Sequence, residues 1–122
     1  MPRLRAASAP DETCEPVEGV PRAWRASQGM TQPLRDALVA GHAHVQDLGS
    51  QLIGLMVAPQ PGHRVLDACA GLGGKSLHLA SMLGIAGEVV AVEPLPQKLA
   101  MLQDAARRSG VEDVITAHQA KL

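Results

Sequence analysis

The chain has no Phe and no Tyr, and a single Trp among 122 residues. Recognition of nucleic acid by stacking bases on an aromatic platform is therefore nearly excluded within this stretch, and the core must be filled by Ala, Leu and Val. Cysteine is almost as scarce. Cys14 and Cys69 lie far apart and form no Cys-x-x-Cys pair, which argues against a disulfide scaffold and a zinc site and fits a reducing, cytoplasmic setting. No apolar run approaches ~18 residues, so no membrane span is expected, and the N-terminal "MPRLRAASAP" has positive charge without the apolar segment of a secretion signal. Charge of one sign is missing too. The net charge of −1 does not describe a bulk binder of polyanions, and Arg3, Arg5, Arg22 and Arg25 are interleaved with Asp11, Glu12, Glu15 and Glu18 as on a solvated surface.

What is present is ordered punctuation. Residues 1–20, rich in Pro, Ser and acidic side chains, read as an irregular segment. Residues 21–44 read as a linker with a short helix near Pro33–Ala40. From residue 45 to 122 the periodicity is clear. Val45, Leu48, Leu52, Leu55 and Met56 recur at helical spacing, predicting an amphipathic helix from about Gln46, and "PQPG" ends it. "HRVLDACA" reads as a buried strand. "GGKSLHLASMLG" reads as a helix with Leu77, Leu79, Ala80 and Leu83 inward. "GEVVAVEP" is a second strand, "PQKLAMLQDAARRSG" a helix opened by Pro96 and closed by Gly110, and "DVITAH" a third strand. Strand, helix, strand, helix, strand is half of a doubly wound parallel α/β sheet of Rossmann-like type, with three strands visible. Such a sheet needs its edges covered, so the chain is expected to be a piece of a larger domain, completed by a downstream polypeptide.

The glycine cluster between the first strand and its helix is the candidate site. Three chemistries use such a loop. The phosphate-binding pattern G-x-x-x-x-G-K-[ST] is met by Gly74-Lys75-Ser76, but Cys69 stands where its first glycine belongs. The dinucleotide fingerprint G-x-G-x-x-G is met by Gly71 and Gly73, but Ser76 takes the third glycine position. A nucleoside cofactor without a pyrophosphate needs glycines for close backbone approach and an acidic residue ending the next strand, for the ribose hydroxyls. Glu93 stands there, twenty-two residues after Gly71. That carboxylate suits NAD as well as S-adenosylmethionine, since both carry a ribose diol.

The segments "VQDLGSQL", "PGHRVLDACAGLGGKS" and "GEVVAVEP" together resemble the RNA cytosine-C5 methyltransferases of the bacterial Sun and eukaryotic nucleolar type, and most of all the bacterial 16S ribosomal RNA enzymes. The likeness runs from about Pro21 to the end of the chain and is strongest over residues 45–93. It implies S-adenosylmethionine as cofactor, held by the loop residues Cys69, Ala70, Gly71, Leu72, Gly73, Gly74 and Lys75, with Glu93 on the ribose. It gives Asp67 the task of ordering the loop, and has Val45–Gln51 pack against the cofactor domain and help shape the site. It places Gln119 near the adenine, where the family usually has Asp. Ribosomal RNA is the implied partner, through parts of the enzyme beyond this stretch. Gly71-Leu72 replaces the family's Ala-Pro, and Glu93 replaces the commoner Asp. The family's two catalytic cysteines lie downstream, so no residue here is assigned a catalytic role and this stretch alone is expected not to methylate RNA. Cys69 reads as a small loop residue, not as the nucleophile. The rival readings are a non-catalytic cofactor- or nucleotide-binding fragment and a fragment of an NAD-dependent oxidoreductase. Ser76 and the unexplained VQD…SQ segment count against the oxidoreductase.

The remaining polar residues read as ordinary surface. His42 and His44 have strand spacing but no visible third ligand. Arg107 and Arg108 close a helix where positive charge suits the dipole.

Overall fold

The structure is a computed structural model that describes residues 2–122. The chain divides into two compact units, residues 1–53 and 54–122.

The first unit is a four-stranded antiparallel sheet with one helix. Strands β1 (Arg3–Ala6), β2 (Cys14–Pro16), β3 (Ala23–Ala26) and β4 (Ala43–Val45) pair in the order β2-β3-β1-β4, and helix α1 spans Gln32–Val39. This corrects the reading of residues 1–20 as irregular and of 21–44 as linker: both segments carry strands. The cause is the period of two in Arg3-Leu4-Arg5-Ala6. Leu4 and Ala6 are buried with Cys14, Ala26, Leu34 and Ala43 in a core that Trp24 flanks. The strands are only three or four residues long, and the Pro, Gly and Ser between them mask the alternation. Helix α1 starts where expected, with Pro33 in its first turn and the Thr31 side chain accepting from the Leu34 amide. Asp11 ties this helix to the β1–β2 loop by accepting from the Thr13 amide and from the hydroxyls of Thr13 and Thr31.

Helix α2 spans Leu48–Val57. It begins two residues later than the periodicity suggests, because Gln46 still donates its amide to the Arg3 carbonyl at 3.1 Å and so prolongs the β1–β4 pairing. Val45 lies in β4, and Val45, Leu52 and Met56 are exposed, so the expected apolar stripe is not the buried face.

The second unit holds a three-stranded parallel sheet, β5 (Arg64–Asp67), β6 (Glu88–Glu93) and β7 (Ile115–Gln119), in the order β5-β6-β7. Helices α3 (Gly74–Leu83) and α4 (Pro96–Arg108) are its crossovers. Leu79, Ala80, Leu83, Val89 and Val114 form one core, and Ala70, Ala91 and Leu102 a second beneath the loop. This is the doubly wound half-sheet that the sequence predicts. The first strand is shorter than expected, since residues 68–71 leave the sheet as turns. No helix among the described residues is long and apolar enough to cross a membrane.

Candidate functional site

Parallel strands place their carboxyl ends together, and loops leaving those ends form the crevice where ligands of such sheets bind. Here Asp67 ends β5, Glu93 ends β6 and Gln119 ends β7. Asp67 is in register with Ala91, and Glu93 with Gln119. With a side-chain period of two, Asp67, Glu93 and Gln119 therefore share the face that α3 and α4 cover.

The loop from Ala68 to Gly73 is fixed by its own backbone. The Ala70 amide donates to Val92 O at 3.0 Å, which anchors the loop to β6. The Gly73 amide donates to Ala70 O at 2.9 Å, and the Leu77 amide closes the first turn of α3 on Gly73 O at 2.8 Å. Gly73 requires glycine twice over. Its φ is +93°, and a Cβ there would stand 2.6 Å from Leu102 Cγ. Gly71 also has positive φ, +57°, but with open space around it. Ala70 and Gly73 are buried, Lys75 is half-buried, and Cys69, Leu72 and Gly74 are exposed. The loop thus offers an exposed backbone rim on a buried seat. Cys69 is a free thiol.

Glu93 is buried, and its Oε2 accepts the Leu95 amide at 2.6 Å, just ahead of α4. That bond sets the carboxylate at the end of β6. Gln119 donates Nε2 to Pro94 O at 3.4 Å, which leaves its Oε1 as an acceptor beside Glu93. Asp67 accepts the Ser76 hydroxyl at 2.6 Å on Oδ2, tying the start of the loop to the first turn of α3. The loop, Glu93 and Gln119 are therefore gathered at one end of one sheet. A cleft of about 370 Å³ lined by Gln103, Ala106, Arg107, Glu112, Ile115 and Ala117 lies along the C-terminal half of α4 and contains none of these residues.

The VQD…SQ segment is tied into the first unit. Gln46 and Gln51 are both buried. Gln46 Oε1 accepts Arg5 Nε at 3.0 Å, and Gln51 Nε2 donates to Leu4 O and Gln46 O at 3.1 and 3.0 Å. These amides hold β1, β4 and the start of α2 together within the first unit, so their evident work is structural. Burial and nearby Arg22 push Arg5 down to about 10. Among the residues whose partners the sequence does not reveal, Ser76 matters most. In the dinucleotide fingerprint it is only a flaw, although its spacing of nine from Asp67 is what a loop-closing bond needs.

A parallel sheet with a glycine-rich first crossover and an acidic second strand end is a Rossmann-like arrangement, the fold that S-adenosylmethionine-dependent methyltransferases share. A methyltransferase homolog protein from Pyrococcus horikoshii shares the fold, with a TM-score of 0.76 over 98% of this chain and 44% of that one, at 14% identity. The sequence model of the 16S rRNA methyltransferase RsmB/F family matches residues 54–121, which is the second compact unit almost to the residue. The chain belongs to that family. Human tRNA (cytosine(72)-C(5))-methyltransferase NSUN6 is 30% identical over 82% of this chain and 22% of its own length. A mouse 28S rRNA (cytosine-C(5))-methyltransferase is 36% identical over 59% of this chain and 16% of its own. The chain thus spans about a fifth of the curated relatives it matches.

Proposed function

We propose that this chain is the cofactor-binding portion of an S-adenosylmethionine-dependent RNA cytosine-C5 methyltransferase acting on ribosomal RNA, in the cytoplasm. The observation that carries the reading is the gathering of the 68–75 loop and Glu93 at the carboxyl ends of adjacent parallel strands. Family membership supports it.

The residues present suit the cofactor. Glu93 has one oxygen spent on Leu95 and leaves Oε1 without a protein partner among the described residues, fit to accept from a ribose hydroxyl. Gln119 Oε1 is an acceptor for an adenine amino group. The rim of Cys69, Ala70, Gly71, Leu72, Gly73, Gly74 and Lys75 offers backbone to the amino-acid end, with the half-buried Lys75 suited to its carboxylate. When bound, the cofactor supplies an electrophilic methyl group. This stretch holds and orients it, while the attack on cytosine belongs to other parts of the enzyme. The base itself must be taken out of its stack to be reached.

The test is calorimetric titration of S-adenosylhomocysteine into wild type and Glu93→Ala. Charge-assisted hydrogen bonds are worth roughly 1.5–3 kcal/mol each, so the variant should bind at least about tenfold more weakly, with unchanged circular dichroism. Equal affinity would show that the ribose is held elsewhere.

A further inference from the structure

In sequence the arginines of the first unit alternate with acidic residues, but folding sorts them. Arg3 and Arg5 of β1, Arg25 of β3 and His44 of β4 share one face of the antiparallel sheet, because Arg3 is in register with Arg25 and Arg5 with Ala23 and His44. Leu4, Ala6, Ala26 and Ala43 take the other face and pack with Leu34 of α1. Glu15 pairs with Arg25, and Asp11 is spent on Thr13 and Thr31. Arg3, Arg5 and Arg22 form no ion pair among the described residues. For Arg5 this is costly. It is only 6% exposed, its Nε donates to the neutral amide of Gln46, and its Nη2 is buried with no hydrogen-bond partner. A buried cation destabilises a fold unless a counter-charge meets it. Arg22 adds a second cation instead. Its carbonyl accepts the Ala6 amide at 3.0 Å, which fixes its backbone beside β1, and its charge further disfavours the Arg5 cation. Arg22 is exposed, and with Val20, Ala23 and Trp24 it helps line a shallow cleft of about 410 Å³. Ala23, on that cleft, is the residue in register with Arg5.

We propose that Arg5 and Arg22 form a binding site for a phosphodiester group of an RNA strand. An anion here supplies the counter-charge that the fold withholds from both guanidiniums. The planar fork of a guanidinium matches the paired oxygens of a phosphate. Arg22 meets the anion from solvent, and Arg5, held by Gln46, is pre-set to receive it. Arg3 lies two residues along β1, roughly 7 Å away at the rise of a strand, and continues the line of positive charge as a run of phosphates requires. Contacts of this kind position a strand without reading its bases, which suits a chain with no Phe or Tyr. The site belongs to the first unit, whereas the cofactor loop belongs to the second. That the phosphate is carried by RNA rests on the methyltransferase reading; the anion site itself does not.

The experiment titrates wild type, Arg22→Gln, Arg5→Gln and Arg35→Gln into a labelled single-stranded RNA oligonucleotide of mixed sequence, read by fluorescence anisotropy over a range of salt. Arg35 is exposed on α1, which covers the opposite face of the sheet, so its variant makes the same change of net charge away from the site. Arg22→Gln should make the dependence of log K on log salt shallower by about 0.7, the loss of one single-strand phosphate contact, and so weaken binding about fivefold at about 0.1 M salt. Arg35→Gln should change affinity by less than about twofold, as a screened surface charge does. A second arm compares melting in inorganic phosphate and in chloride at equal ionic strength, read by Trp24 fluorescence. Phosphate should raise the melting temperature of wild type more than that of Arg22→Gln or Arg5→Gln, by mass action on the folded state. Arg22 is exposed, so its variant decides the matter even where Arg5→Gln does not fold. Equal losses of RNA affinity at Arg22 and Arg35, or equal phosphate effects on wild type and Arg22→Gln, overturn the inference. Phosphate protection without RNA binding overturns the assignment to a nucleic-acid backbone. Neither arm involves the cofactor loop, so failure of the cofactor reading is seen separately, as absent binding of S-adenosylhomocysteine.

Discussion

Gly73 and Gly74 are neighbours in the loop, yet alanine should act on them in opposite directions. At Gly73 two costs combine. The φ of +93° is a conformation that costs an L-residue about 1–2 kcal/mol. The added Cβ would stand 2.6 Å from Leu102 Cγ, 3.1 Å from its Cδ1 and 3.3 Å from its Cβ. Leu102 is fully buried, so a Cβ pressed against it adds an overpacking cost of about 1–3 kcal/mol. Gly73→Ala should therefore destabilise the protein by about 2–5 kcal/mol. Gly74 opens α3, and a Cβ there meets nothing within 4 Å. Gly74→Ala should be neutral or stabilising by up to about 1 kcal/mol through reduced backbone entropy and better helix propensity. Urea unfolding followed by far-ultraviolet circular dichroism measures both. A loss at Gly73 under about 1 kcal/mol, or equal effects at the two positions, would refute the packing argument, because the first threshold lies below the backbone cost alone.

Other outcomes follow from the first unit. Hydrogen bonds from Thr13 and Thr31 hold Asp11 down at about 2, against an ordinary value of 3.8. Its contribution is present above pH 3.8 and is lost as pH falls through about 2. Asp11→Asn should flatten the loss of stability on that acid limb, read by Trp24 fluorescence, and an unaltered limb would show that Asp11 is not its source. Gln51→Leu removes the donor shared by the Leu4 and Gln46 carbonyls and should cost about 1–3 kcal/mol in the same assay. A neutral result would mean those carbonyls are satisfied without it. Leu102→Ala should destabilise by about 2–5 kcal/mol, and the double variant with Gly73→Ala should lose less than the sum, since truncation removes the clash.

The parallel half-sheet is legible in the sequence because its signals are local and agree with each other. Pro96 opens α4, Gly110 follows its end, Glu93 closes β6, and Leu77, Leu79, Ala80 and Leu83 are buried as their spacing predicts. The antiparallel sheet is not. Its strands are three or four residues long, and β1 pairs with β3 and β4 across eighteen to forty-one positions, as in Leu4 with Trp24 and Leu4 with Val45, which no local period reveals. The same limit explains Gln46 and Gln51. Their motif is visible, but their partners on β1 lie more than forty residues away. In the site, residue types and order are readable, whereas the use of Ser76 on Asp67 depends on how a turn of six residues brings them together.

Calorimetric titration of the purified chain with S-adenosylhomocysteine, NAD and ATP under one set of conditions tests most directly whether the loop after β5 and Glu93 form a cradle for S-adenosylmethionine and not for a dinucleotide or a nucleoside triphosphate. Binding of S-adenosylhomocysteine alone, abolished or weakened about tenfold or more by Glu93→Ala, is the predicted result. Tighter binding of NAD or ATP than of S-adenosylhomocysteine would contradict it.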